Sequence, residues 1–170
     1  MTEKGFYRET ERLILRTPTA EDANALALAR STDFVMRYNL YEKCDGEQIL
    51  RELESYDHVL LAEKESARII GCVSLRDDPV RYHTDSITLH AWLIEEMAYK
   101  GYMLEALTEI INELFLIYQR ISVQIFSQNT ASLRLAKKLG FEEEGFIKQA
   151  VKNKKGEIFD VVLLSLANYL

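Results

Sequence analysis

Apolar and polar positions along this chain change rhythm twice, and each rhythm predicts a different element. Leu13 and Leu15 alternate with polar neighbours as a short strand does, and Thr17-Pro18-Thr19 leads into Ala20-Glu21-Asp22, with Thr19 and Asp22 spaced as a capping pair. A helix is predicted from there to about Arg30. After an irregular stretch rich in Tyr and Phe, Asp45 and Gln48 repeat the capping spacing, and Ile49, Leu50 and Leu53 follow at helical intervals, which predicts a second short helix. From His58 the pattern turns to runs of Val, Leu and Ile: HVLLAE, a turn over 64–67, RIIGCVSL, a polar loop through Asp78-Pro79, and SITLHAWLI. These read as three antiparallel strands. Leu104, Leu107, Ile111, Leu114 and Phe115 then recur at three and four residues, predicting a long amphipathic helix over 101–118. A strand ISVQIF, a helix over 130–139 stopped by Gly140, and two strands around 144–148 and 159–166 complete the order βααβββαβαββ. Its strand, helix, strand succession implies at least one parallel crossover inside an otherwise antiparallel sheet, an α/β layered fold.

Composition narrows the classes of function. With 170 residues, 48% apolar and 28% charged, the chain reads as one globular domain over 1–170 with a sizeable core. Pro and Gly are scarce and no biased tract marks a linker. The two cysteines, Cys44 and Cys72, form no CxxC and no disulfide framework, which fits a reducing compartment. The opening MTEKGFYRETERL mixes both charge signs, unlike a signal peptide, and no apolar run is long enough to span a bilayer, so a cytoplasmic protein without membrane contact is expected. Lys+Arg 21 against Asp+Glu 27 gives a net charge of -6, which disfavours nucleic acid as a partner.

The chain has no GxxxxGK[ST] loop, no HExxH and no GxSxG elbow, and His58, His83 and His90 have no carboxylates at ligand spacing, so no metal is expected. What remains is the connection EEMAYKGYM between a strand and the long helix. It places free backbone N–H groups at a helix N-terminus beside Lys100 and Gly101, a geometry that suits a phosphate, although Gly101 also serves simply to turn the chain.

The segment NTASLRLAKKLGFEEEG resembles motif B of the Gcn5-related N-acetyltransferases (GNAT superfamily). The opening ETERLILRTPTAEDANAL and the segment GYMLEAL resemble the branch that acetylates the N-terminal alanine of ribosomal proteins. The resemblance spans nearly the whole chain. It implies a mixed, mostly antiparallel twisted sheet of about seven strands flanked by about four helices, and a transferase that moves an acetyl group from acetyl-CoA, its co-substrate, to a primary amine by direct attack. On this reading the pantetheine pairs with backbone near Ala91 and Leu93. The pyrophosphate sits on the N–H groups of Tyr99, Lys100, Gly101, Tyr102, Met103 and Leu104. Asn129 and Ser132 face the thioester end, with the Leu93 N–H as oxyanion donor and Ser132 as donor to the leaving thiolate. A helix N-cap also asks for Asn129 and Ser132 at this spacing.

Several positions depart from the family pattern. Ala98 and Met103 stand where the phosphate loop commonly has Gln or Arg and a small residue. Ala136 replaces the usual tyrosine acid, and Thr88 and Val151 replace the two usual carboxylate bases. His90, on the same strand face as Thr88, is the first candidate base, with packing beside Trp92 as its other role; Asp160 is the second, with binding the acceptor's charge or holding a turn as its other roles, and a water chain is the third. Phe34, Tyr38 and Tyr41 are candidates for an acceptor wall or for core. The loop acids Asp77, Asp78 and Asp85 favour a cationic acceptor such as a peptide N-terminus, a small amine, a polyamine or an aminoglycoside, or else form a solvated loop. A catalytically silent acyl-CoA-binding or protein-interaction module is the alternative function. A homodimer through a final-strand edge is an expectation carried by no named residue.

Overall fold

The computed structural model describes residues 5–168, so the first four residues of the mixed-charge opening lie outside it. The elements are β1 (Tyr7–Glu9), β2 (Leu13–Arg16), α1 (Ala23–Arg30), α2 (Asp33–Met36), α3 (Gly46–Ser55), β3 (Asp57–Glu63), β4 (Ile69–Asp77), β5 (Ser86–Leu93), α4 (Tyr102–Leu114), β6 (Arg120–Phe126), α5 (Thr130–Lys138), β7 (Glu142–Lys152) and β8 (Ile158–Ala167), with short 3-10 turns at Ala20–Asp22 and Glu95–Met97. The fold is mixed α/β. Eight strands and five helices replace the expected seven and four because β1 and α2 have only three and four residues, too few for a period to show.

The chain forms two compact units, one of residues up to Arg76 together with Ala91–Glu109, the other of Asp77–His90 together with the residues from Ile110 onward. In the first unit, β1, β2, β3 and β4 pair antiparallel in chain order. Leu13, Leu15, Val59, Leu60, Leu61, Ile70 and Val73 are fully buried there, as the runs of apolar residues require. Both expected caps are present: Asp22 accepts the Thr19 N–H at 2.7 Å, and Asp45 accepts the Gln48 N–H at 2.9 Å while Gln48 accepts that of Asp45 at 3.1 Å. Gly71 is required by close packing. A Cβ at this position would come within 2.5 Å of the Trp92 carbonyl oxygen, so only glycine lets β4 pass the end of β5, where Ile94 donates to the Ile70 carbonyl at 2.8 Å.

In the second unit the strand order is β5-β6-β8-β7. β5 and β6 are the parallel pair that the strand, helix, strand order predicts, in register at Ser86↔Arg120, Ile87↔Ile121 and Thr88↔Ser122. β6 then pairs antiparallel with β8, and β8 with β7. The long helix ends at Leu114, short of the expected Tyr118. There Leu116 and Ile117 donate to Glu113 and Leu114, three residues back, which tightens the last turn and leaves both side chains exposed. Among the described residues no helix is long and apolar enough to cross a membrane, and Cys44 and Cys72 are free thiols.

Candidate functional site

The connection before α4 turns sharply and leaves backbone N–H groups outside the helical ladder where the helix begins. Tyr99 and Gly101 both adopt positive φ, 61° and 86°, and Tyr99 is 84% exposed, so its strained backbone is not bought by packing of its ring. Glu105 donates its N–H to the Gly101 carbonyl at 3.0 Å, which makes Gly101 the cap and leaves the N–H groups of Tyr102, Met103 and Leu104 outside the helical ladder. These donors carry the positive end of a helix of 13 residues. Lys100 is exposed beside them, and Met103 and Leu104 are half-buried.

Arg12, just before β2, braces this loop. Its guanidinium donates to the Lys100 carbonyl at 3.0 Å, stacks 4.1 Å from the centre of the Tyr102 ring, and pairs with Glu105 at 2.7 Å. Glu105 also accepts from the Arg12 N–H at 2.8 Å and the Thr10 hydroxyl at 2.5 Å. Burial alone pushes the Glu105 carboxyl up, but the bonds from Thr10 and Arg12 outweigh it and hold the group below its ordinary value. The Tyr102 hydroxyl donates to Glu63 at 3.0 Å, which fixes the ring under the guanidinium. Sequence reasoning passed over Arg12, Glu63 and Glu105. Arg12 and Glu105 lie in the quoted ETERLILR and GYMLEAL, yet nothing in one sequence pairs positions 93 residues apart.

Ala91 and Leu93 are half-buried and alternate with the buried Trp92 and Ile94 at the end of β5. His90 is half-buried as well and shares strand parity with Thr88. The pairing of β5 with β6 stops at Thr88↔Ser122, so Leu89 and His90 continue past the last paired position. At that point Thr88, 1% exposed, shares a 2.7 Å hydrogen bond with Ser122, and the Ser122 hydroxyl donates to Asp78 at 3.0 Å. Asp78 also accepts from the Val80 N–H and from Arg81, both at 2.9 Å. Arg81 in turn reaches Glu144, which accepts from Arg120 at 3.0 Å and Ser165 at 2.7 Å. Asp78 is therefore no solvated loop acid: it is 7% exposed, and although burial opposes its ionisation, the bonds from Val80, Arg81 and Ser122 hold its carboxyl low. Because Asp78 is spent on Arg81 and Ser122, the loop is left with Asp77 and Asp85 as exposed acids.

In the second unit Asn129 caps α5, its side-chain oxygen accepting the Ser132 N–H at 3.2 Å. That uses the Ser132 backbone and leaves its half-buried hydroxyl uncommitted among the described residues. Ala136, in the position of the usual tyrosine acid, lies buried on the same helix, 5% exposed. Asp160 holds backbone. Its carboxylate accepts the Gln149 N–H at 2.7 Å, while Gln149 stands at φ 51° in the irregular stretch of β7 between Ile147 and Val151. The turn-holding role is thus the one its contacts fill, and Val151 simply pairs with Phe159. The first unit holds Ala91, Leu93 and Tyr99 to Leu104; the second holds His90, Asn129, Ser132 and Asp160. Among the described residues no three or more His, Cys, Asp or Glu side chains cluster as a metal site.

Residues 12–142 match the family model of the acetyltransferase (GNAT) domain. The uncharacterized N-acetyltransferase YoaA of Bacillus subtilis (strain 168) is 30% identical over 154 residues, covering 83% of this chain and 85% of that protein. Among solved structures, the ribosomal-protein-S5-alanine acetyltransferase of Vibrio fischeri superposes with a TM-score of 0.82 at 22% identity, over 96% of this chain and 97% of that one. A GNAT-family acetyltransferase of Bacillus anthracis does so with a TM-score of 0.82 at 18% identity, over 95% and 98%. At these identities the structures share the fold.

Proposed function

The chain belongs to the GNAT acetyltransferase family and is an acetyltransferase; from that premise we propose that it transfers the acetyl group of acetyl-CoA to a primary amine by direct attack, with a protein or peptide N-terminus as the leading acceptor class. The observation that carries the reading is the loop at Tyr99 and Gly101, whose two positive-φ residues precede the uncommitted N–H groups of α4 and are held in place by Arg12. Such donors suit a pyrophosphate, because the anion meets fixed N–H dipoles and the helix end at no cost of reorganisation. The position expected to hold a Gln or Arg is Ala98, and Arg12 supplies the missing rigidity from another part of the chain.

Acetyl-CoA supplies an activated acetyl group, whose C–S bond breaks as the new C–N bond forms. Tyr102, Met103 and Leu104 bind phosphate through backbone N–H groups, with Lys100 adding charge. Ala91 and Leu93 offer strand backbone to the pantetheine, and the Leu93 N–H is the donor for the developing oxyanion. The Ser132 hydroxyl donates to the departing sulfur, since its backbone N–H already serves the cap of α5. His90 accepts the proton that the attacking amine must lose; Asp160 is the weaker candidate because its carboxylate is occupied by Gln149.

Calorimetric titration with acetyl-CoA, followed by release of free CoA on addition of amines, tests the reading. Micromolar affinity, about -8 kcal/mol, together with amine-dependent release, is the expected result. Absence of binding would remove the acetyl-CoA assignment. Binding without release across a broad panel of peptides and small amines would remove the acceptor assignment.

A further inference from the structure

Four side chains of the first unit have no task in the reaction just described: Arg30 on α1, Tyr41 after α2, Tyr56 at the end of α3, and Arg76 near the end of β4. They form two stacked pairs. The Arg30 guanidinium lies 4.6 Å from the centre of the Tyr41 ring and that of Arg76 lies 4.7 Å from the centre of Tyr56. The pairs are linked through the end of α3, where Glu52 pairs with Arg30 and its carbonyl accepts the N–H of Tyr56 at 3.2 Å, the ring that lies against Arg76.

Their charges are unevenly answered. Arg30 is 6% exposed and paired with Glu52, yet its Nε is buried without a hydrogen-bond partner. Arg76 is half-buried, its Nε is buried and unpartnered too, and among the described residues no carboxylate pairs with it. Arg12, Arg16, Arg30 and Arg68 of the same unit each have one. The remaining neighbours do not compensate. Burial keeps the Tyr41 hydroxyl protonated, with its pKa pushed up to about 12, and Glu52 is occupied by Arg30. His58 is satisfied as a neutral ring, sharing a 2.9 Å hydrogen bond with Ser74 and a 3.2 Å one with the Glu52 carbonyl.

A guanidinium drawn partly out of water, oriented by an aromatic ring and left without an anion, is arranged for an anion that arrives from outside. Its planar fork matches a carboxylate with two parallel N–H···O bonds. The net charge of -6 argues for a cationic acceptor, but that argument concerns exposed acids, whose field is screened within about 8 Å at physiological salt. A half-buried guanidinium at contact distance is screened far less. Asp78, which supported the cationic reading, is committed to Arg81 and Ser122.

We infer that Arg76, stacked on Tyr56 and backed by Arg30, is a subsite for a carboxylate carried by the amine acceptor. The inference rests on the acceptor reading above and narrows it to amines bearing a negative charge, either an amino acid or a peptide N-terminus with an acidic residue close behind.

The test has a binding arm and a kinetic arm. In the binding arm, glutarate and its uncharged diamide are titrated into the protein saturated with CoA, and the Arg76 Nε–H resonance is followed by NMR. Glutarate is expected to shift it saturably and the diamide not at all, and Arg76→Lys, which keeps the charge but loses the fork, is expected to raise the half-saturating concentration at least tenfold. In the kinetic arm, acetylation of free glutamate and of a peptide with glutamate at its second position is compared with that of the corresponding amides. A lower KM for the carboxylate form, lost in Arg76→Lys and Arg76→Gln while acetyl-CoA affinity is unchanged, supports the subsite, and the form that shows it identifies the source. An equal response to the diamide, no saturable shift, or a carboxylate preference that survives both substitutions overturns it. A glutarate shift without release of CoA from any amine would sink the transfer reading and leave the subsite standing; release of CoA with no shift and no preference would sink the subsite alone.

Discussion

Two polar constellations of this molecule use the same residue types to opposite ends. In the second unit, Thr88, Ser122, Asp78, Arg81, Glu144, Arg120 and Ser165 satisfy one another. In the first, Arg12 and Glu105 satisfy each other so that the backbone beside them stays unsatisfied. The chain closes its polar groups on themselves where β5 and β6 are paired, and holds donors open where α4 begins. The difference teaches that a buried ion pair is not in itself a mark of function. What matters is whether the groups around it have been left something to bind.

The comparison is most sharply broken at Asp78. Asp78→Ala removes the carboxylate shared by Arg81, Ser122 and the Val80 N–H, leaving Arg81 with Glu144 and Ser122 with Thr88, which costs about 3 kcal/mol. That amounts to a fall in Tm of roughly 10 °C. A thermal melt showing a change within a degree or two would mean that the closed network is not structural. Arg12→Ala is expected to act on the ligand instead. Loss of the charge-assisted bonds that hold the loop should weaken acetyl-CoA by about 10- to 100-fold, measured by calorimetry, with a smaller change in Tm than Asp78→Ala because its side chain is 38% exposed. Unchanged acetyl-CoA affinity would remove Arg12 from the site.

Stability against pH separates His58 from the carboxylates of both regions. Burial lowers the pKa of His58 in the folded state, so the unfolded chain takes up a proton that the native ring refuses. Stability therefore falls as pH drops below the unfolded value of about 6.5, with a slope of up to about 1.4 kcal/mol per pH unit. The carboxyls of Asp78, Glu105 and Glu144 are held low, so their contributions are present above about pH 4.5 and are lost only as pH falls through their depressed values. Denaturant melts from pH 7 to 3 should show both limbs, and His58→Gln should flatten the upper one alone. The smallest effect belongs to Thr88→Val, which removes one hydrogen bond while Ser122 keeps Asp78, for about 1 kcal/mol. A loss as large as that of Asp78→Ala would show that the strand-end hydroxyl, and not the carboxylate, organises the network.

The legible part of this protein is what neighbouring residues decide. Thr19 with Asp22 and Asp45 with Gln48 announced two helix starts, the Val, Leu and Ile runs from His58 announced three strands, and the periodic run from Leu104 announced the long helix. Each rests on spacings of two to four residues, which one sequence displays directly. The resemblance of NTASLRLAKKLGFEEEG named the family, which the match over residues 12–142 bears out. The tertiary structure alone decided that Arg12 meets Glu105, that Asp78 is buried against Ser122, that Asp160 is tied to Gln149, and that among the described residues no carboxylate answers Arg76. All four depend on which distant segments the sheet registers bring side by side. A charged side chain looks the same in a sequence whether its partner stands across a strand, lies in solvent, or arrives with a ligand, because Coulomb and hydrogen-bond energies depend on distance and burial in space and not on separation along the chain.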